Sequence, residues 1–146
     1  AHKELVVIGG GSQMDSLKKM SNSSVHFKGE LSDEEVVAYM QHAEAFLFPG
    51  LEDFGIAPVE AMAAGIPVIA YGEGGASETV LDKKTGILVP HQSVRAFTLA
   101  IRQLQKFQFD QRVIRARAEE FSSRHFRNAL MEAVKKVLTL RGSRLT

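Results

Sequence analysis

Five short runs that are apolar almost throughout, at residues 5–8, 25–27, 45–48, 67–70 and 86–89, alternate along this chain with stretches of helical period. Nothing else in the sequence constrains the fold as tightly. A strand that is apolar on both faces belongs in a parallel sheet covered on both sides. Strand alternating with helix builds βαβ units and a doubly wound α/β sheet. The spacing predicts helices over 12–21, 32–41, 58–64, 76–81, 93–105, 111–120 and 124–140, the last three closing the chain. Ser32 followed by Glu35 is a capping-box start, and Gly65 past the third helix is a stop signal. Ligands of such sheets bind outside the carboxyl ends of the strands. That rule singles out three loops, 9–12, 49–57 and 71–76.

At 146 residues the chain has the size of one domain with a real core, and we read 1–146 as a single ligand-binding domain. Its 45% hydrophobic and 24% charged residues are those of an ordinary globular protein. No apolar run approaches the roughly 18 residues of a membrane span. The first residues read as a strand rather than a secretory leader, so a cytoplasmic location is expected. There is no cysteine, hence no disulfide framework or thiolate chemistry. The histidines at 2, 26, 42, 91 and 125 show no metal-ligand spacing, and no zinc site is expected. Charge is uneven: residues 1–90 carry 6 Lys/Arg against 13 Asp/Glu (6 − 13 = −7), and residues 91–146 carry 12 against 4 (12 − 4 = +8). The basic tail, Arg112 to Arg144, either complements the acidic half or draws an anionic partner or lipid surface.

The turn Gly9-Gly10-Gly11 follows a strand and opens a helix, which raises dinucleotide binding. That fingerprint requires a glycine where this chain has Met14, although Glu30 lies about 20 residues on, where an acid would hold a ribose. A glycine turn that lets backbone approach a ligand at the cleft edge is the better reading. The second loop, PGLEDFGIAPVEAMAAG, is richer. Gly55, Ile56 and Ala57 before Pro58 offer no side-chain oxygen to cap a helix. The first N–H groups, at the positive end of the helix dipole, would suit a phosphate. Glu52 on the loop and Glu60 in the helix could each grip a pair of hydroxyls. Both could equally be surface acids, Glu60 favouring the helix N-terminus.

Glu52 and Glu60, separated by seven residues, resemble the E-x7-E motif of glycosyltransferase family 4, retaining enzymes of GT-B fold. The segment EDFGIAPVEAMAAGIPVIAYGEGGASETV is similar to that family almost throughout, as are Val25 to Gly29, Thr85 to Pro90 and Ala118 to Ser122. The resemblance implies the Rossmann-like C-terminal half of a GT-B fold, which binds a nucleotide sugar. It implies that Glu60 holds the ribose and that Glu52, the catalytic candidate, contacts the donor sugar near its anomeric centre. It further implies that N–H groups around Phe54, Gly55 and Ile56 meet the diphosphate. Gly29 to Asp33, with Leu31 and Asp33, would border the base; Gly10 and Gly11 would edge the cleft. Gly74 and Gly75 line the third loop, and Glu78 reads as structural.

Among relatives the segment looks most like bacterial mannosyltransferases of polysaccharide assembly, implying GDP-mannose as donor, no essential metal, and a glycan or lipid-linked acceptor at the inner face of the membrane. Family members also carry an earlier strand–helix unit with an Arg and a Lys, and an N-terminal acceptor domain; this stretch contains neither. It is therefore expected to be inactive alone and to bind donor weakly. The alternatives are a non-catalytic nucleotide-binding domain and a sugar-nucleotide epimerase half, the latter not expected to carry the two glutamates.

Overall fold

The computed structural model describes residues 3–142; His2 and Arg144, named above, lie outside the described residues. The chain divides into two compact units, residues 1–42 and 43–146.

In the first unit, β1 (Leu5–Ile8) pairs in parallel with β2 (Val25–Gly29), Leu5 against Val25 and Val7 against Phe27. Between them runs α1 (Met14–Met20), and α2 (Asp33–His42) follows. The capping box forms as the spacing predicts. The Glu35 carboxylate accepts from the Ser32 N–H at 2.9 Å, and Ser32 Oγ accepts from the Glu35 N–H at 3.3 Å. Neither helix buries a residue within the chain, and Leu5 and Val6 are exposed. The expectation that every strand is covered on both faces is thus corrected for β1, which among the described strands pairs only with β2.

In the second unit, β3 (Phe46–Phe48), β4 (Val68–Tyr71) and β5 (Gly86–Val89) form a parallel sheet in the order β3-β4-β5. Here the apolar runs are buried as expected, with Val68, Ile69 and Ala70 all at 0% exposure. Ile69, Ile87 and Val89 pack with Ala100 and Leu104 of α5 (Val94–Gln103) and the 3-10 turn that continues it. The alternation of side chains along β4 sends Val68 and Ala70 to the opposite face. There α3 (Ile56–Ala64) lies against β3 and β4, and α6 (Gln111–Glu119) packs on α3. Met62 and Ile114 are fully buried in that layer. Burial on this scale contributes about 1.5–3 kcal/mol per large side chain, and among the described residues the strongly buried ones all lie in the second unit. The short α4 (Gly75–Thr79) follows β4, and α7 (Ser123–Gly142) closes the chain. The described strands therefore make two parallel sheets, of two and three strands, with helices between successive strands.

Candidate functional site

The second unit places two loops at the carboxyl end of its sheet, one after β3 (residues 49–55) and one after β4 (residues 72–74). The first leads into α3, which starts two residues earlier than the sequence pattern predicts. The reason is Gly55, which sits in the left-handed region at φ 74°. That conformation costs a glycine nothing, and it turns the chain so that Ile56 and Ala57 are already helical. Pro58 therefore occupies the third helical position instead of the first. Its missing N–H leaves Ile56 and Ala57 to present the first two. No side chain caps this end, and no acid occupies the first turn. The uncapped start is what the sequence implied, moved by two positions.

Glu60 correspondingly stands in the second turn rather than the first. It lies four residues from Ile56, so the two share one helix face. That face is open: Ile56 is 64% exposed, while Pro58, Ala61 and Met62 are buried on the other side. Glu52 is also exposed and, like Glu60, makes no ion pair with the described residues. Between residues 29 and 82 there is no lysine or arginine. The α3 dipole and its free N–H groups add positive potential at this loop.

The loop is held from below by backbone. The Gly75 N–H donates to the Glu52 carbonyl at 2.8 Å. A Cβ on Gly75 would stand 2.2 Å from the Phe54 carbonyl oxygen, and one on Gly74 would stand 2.5 Å from the Glu52 carbonyl. Only glycine allows such an approach, which is why the doublet lines this loop. Gln92, which the sequence reading did not single out, donates from Nε2 to the Pro49 carbonyl at 2.7 Å and fixes the loop's origin. Phe54 lies edge-on to Phe121, ring centroids 6.1 Å apart. Glu78, read as structural, has its carbonyl bound by Arg117. Tyr71, at the mouth of the third loop, hydrogen-bonds the Glu73 carboxylate. That acceptor raises its phenol above the ordinary value.

The remaining predicted residues belong to the first unit. Gly10 and Gly11 are exposed in the turn after β1, and Gly11 has φ 151°. Leu31 is half-buried in the turn after β2, and Asp33 is exposed in the first turn of α2. The site residues thus fall into two sets, 10, 11, 31 and 33 in one unit and 52, 54, 55, 56 and 60 in the other. Among the described residues no three His, Cys, Asp or Glu side chains group as a metal site. No described helix is long and apolar enough to cross a membrane.

Comparison with known proteins bears on the family and the fold. The family model for glycosyl transferases group 1 matches residues 3–121. A GDP-mannose-dependent alpha-(1-6)-phosphatidylinositol monomannoside mannosyltransferase of Mycobacterium tuberculosis is 36% identical over 113 residues, covering 68% of this chain and 29% of that protein. The chain therefore spans under a third of the length of this relative. Among solved structures, sucrose-phosphate synthase of Thermosynechococcus elongatus superposes with TM-score 0.75 at 25% identity, over 94% of this chain and 39% of that one. A glycosyltransferase of Rickettsia africae reaches TM-score 0.78 at 20% identity, over 94% and 40%, and so shares the fold. The alternating parallel architecture, the uncapped α3 start between two exposed glutamates and the match over residues 3–121 converge: the chain belongs to the glycosyl transferases group 1 family.

Proposed function

We propose that this chain is the donor-binding part of a retaining glycosyltransferase that moves a hexose, mannose from GDP-mannose, to an acceptor hydroxyl in polysaccharide or glycolipid synthesis. The observation that carries the reading is the bare start of α3, with Gly55 left-handed and Glu52 and Glu60 exposed to either side of it in sequence. The Ile56 and Ala57 N–H groups donate to the diphosphate oxygens of the nucleotide sugar. Negative charge grows on the leaving phosphate as the glycosidic bond breaks, and preorganised donors aimed at that charge supply rate. Glu60 takes the ribose hydroxyls, and Glu52 takes the sugar hydroxyls near the anomeric carbon. No metal enters this scheme. Support for mannose comes from the mycobacterial relative, whose name states GDP-mannose dependence and a phosphatidylinositol mannoside acceptor. A lipid-linked acceptor would bring the protein to the inner face of the membrane as a peripheral enzyme.

The absence of Lys and Arg between 29 and 82 leaves a diphosphate without a nearby side-chain cation on this stretch, and weak binding by the chain alone follows. The test is a titration of GDP-mannose, UDP-glucose and ADP-glucose. Saturable binding that prefers GDP-mannose, falls about 10- to 100-fold in Glu60→Ala as expected for a charged hydrogen bond, and survives in Glu52→Gln supports the assignment. Preference for a UDP or ADP sugar would reject mannose from GDP-mannose. Binding indifferent to Glu60 would reject the site.

A further inference from the structure

We propose that Arg117 and Phe121 are positioning residues for the loop that carries Glu52, Phe54 and Gly55, and through it set the site's affinity for a nucleoside diphosphate; the affinity half rests on the donor-binding reading above. The loop itself makes few anchoring contacts by side chain. Below it lies the N-terminal end of α4, where Gly74 and Gly75 meet the Glu52 and Phe54 backbone. Beside it stands Phe121, whose ring meets Phe54 at an interplanar angle of 75°, the edge-to-face geometry that aromatic pairs favour.

Both supports are tied to one guanidinium. Arg117 is 17% exposed, and its charged plane lies 4.7 Å from the centre of the Phe121 ring. Its Nε donates to the Thr79 carbonyl at 2.9 Å and its Nη2 to the Glu78 carbonyl, the last two carbonyls of α4. Its Nη1 pairs with the Glu120 carboxylate. A planar fork can satisfy two carbonyls, an acid and a ring face at once, which an ammonium cannot. One side chain of α6 thus fixes the far end of α4, whose near end carries the loop, and also fixes the ring that flanks the loop. A shift at either contact moves the Phe54–Gly55 backbone and, with it, the direction in which the first N–H groups of α3 point.

The test compares Phe121→Leu, Phe121→Tyr and Arg117→Lys in the full chain by two readouts. Hydrogen exchange at the Gly75 amide reports the bond to Glu52 directly, and a titration with GDP reports the site. The expected result is Gly75 exchange and GDP Kd both raised roughly five- to tenfold in Phe121→Leu and Arg117→Lys, the size of a lost aromatic or fork contact. Exchange of the β4 amides stays unchanged, and Phe121→Tyr, which keeps the ring edge, behaves as the wild type. Gly75 exchange and GDP Kd within about twofold of wild type in folded Phe121→Leu and Arg117→Lys overturn the proposal. A wild type that binds no GDP overturns the affinity half together with the donor reading. The Gly75 exchange then decides the positioning half on its own.

Discussion

At the scale of single residues, the account turns on glycines and acids that have no partner of their own kind. Gly75 is the case at the loop that carries Glu52, because a methyl group there would collide with backbone rather than with a flexible side chain. Gly75→Ala is predicted to lower stability by about 1–3 kcal/mol, the usual cost of forced overpacking, and to displace the loop at Phe54. A melting curve and the loss of nucleotide binding check both parts. Glu52 and Glu60 are exposed and unpaired with cations, so removing either carboxylate leaves no buried charge behind. Glu52→Ala and Glu60→Ala are expected to stay within about 0.5 kcal/mol of wild-type stability, as surface changes do, while Glu60→Ala loses nucleotide. A large fall in melting temperature would mark these acids as structural. The glutamate pair and its glycines were legible in the sequence because their spacing is local. The contacts of Gln92, Arg117 and Phe121 were not, since each meets its partner across roughly 40 residues or more; Phe121 stood in the family-like stretch Ala118 to Ser122, but nothing local pointed to Phe54.

At the scale of elements, caps explain where helices begin, and one of them is sensitive to pH. Asp110 caps α6, accepting from the Arg112 N–H at 2.8 Å and from its guanidinium at 3.0 Å. The Arg112 side chain first, then its N–H, hold the carboxyl below the ordinary range. A group whose folded pKa is depressed stabilises the fold above its unfolded pKa, and that stabilisation fades as pH falls through the folded value. Asp110→Ala should therefore melt below wild type at pH 7, with the gap closing below about pH 3.9, the free carboxylate value. A gap that does not narrow as pH falls below that value would exclude this cause. Boundaries show what pattern alone misses. The capping box at Ser32 was readable because both partners are in sequence, three residues apart. The start of α3 moved from Pro58 to Ile56 because the left-handed turn at Gly55 is a backbone conformation, invisible to a search for side-chain caps.

At the scale of the whole molecule, the two units differ in how much apolar surface each buries. The second carries a three-stranded sheet covered on both faces, whereas the helices of the first hold no fully buried residue. Opening free energy follows buried contact. Native-state exchange is predicted to be slowest in β4 and β5 and at least tenfold faster in β1 and β2. Equal protection in the two pairs would contradict that ranking. The alternation of strand and helix was legible throughout, because period and composition report local geometry. The division into two sheets was not, since pairing depends on which edges meet, and four apolar residues read alike at an edge or in a centre.

The central claim is that the first N–H groups of α3 are a diphosphate site. Backbone amide shifts of the chain recorded during a GDP-mannose titration test it most directly. The account predicts saturable shifts at Gly55, Ile56 and Ala57 whose midpoint moves to about 10- to 100-fold more ligand in Glu60→Ala. Shifts confined to the basic residues of α6 and α7, with these three amides unmoved at saturation, would contradict it.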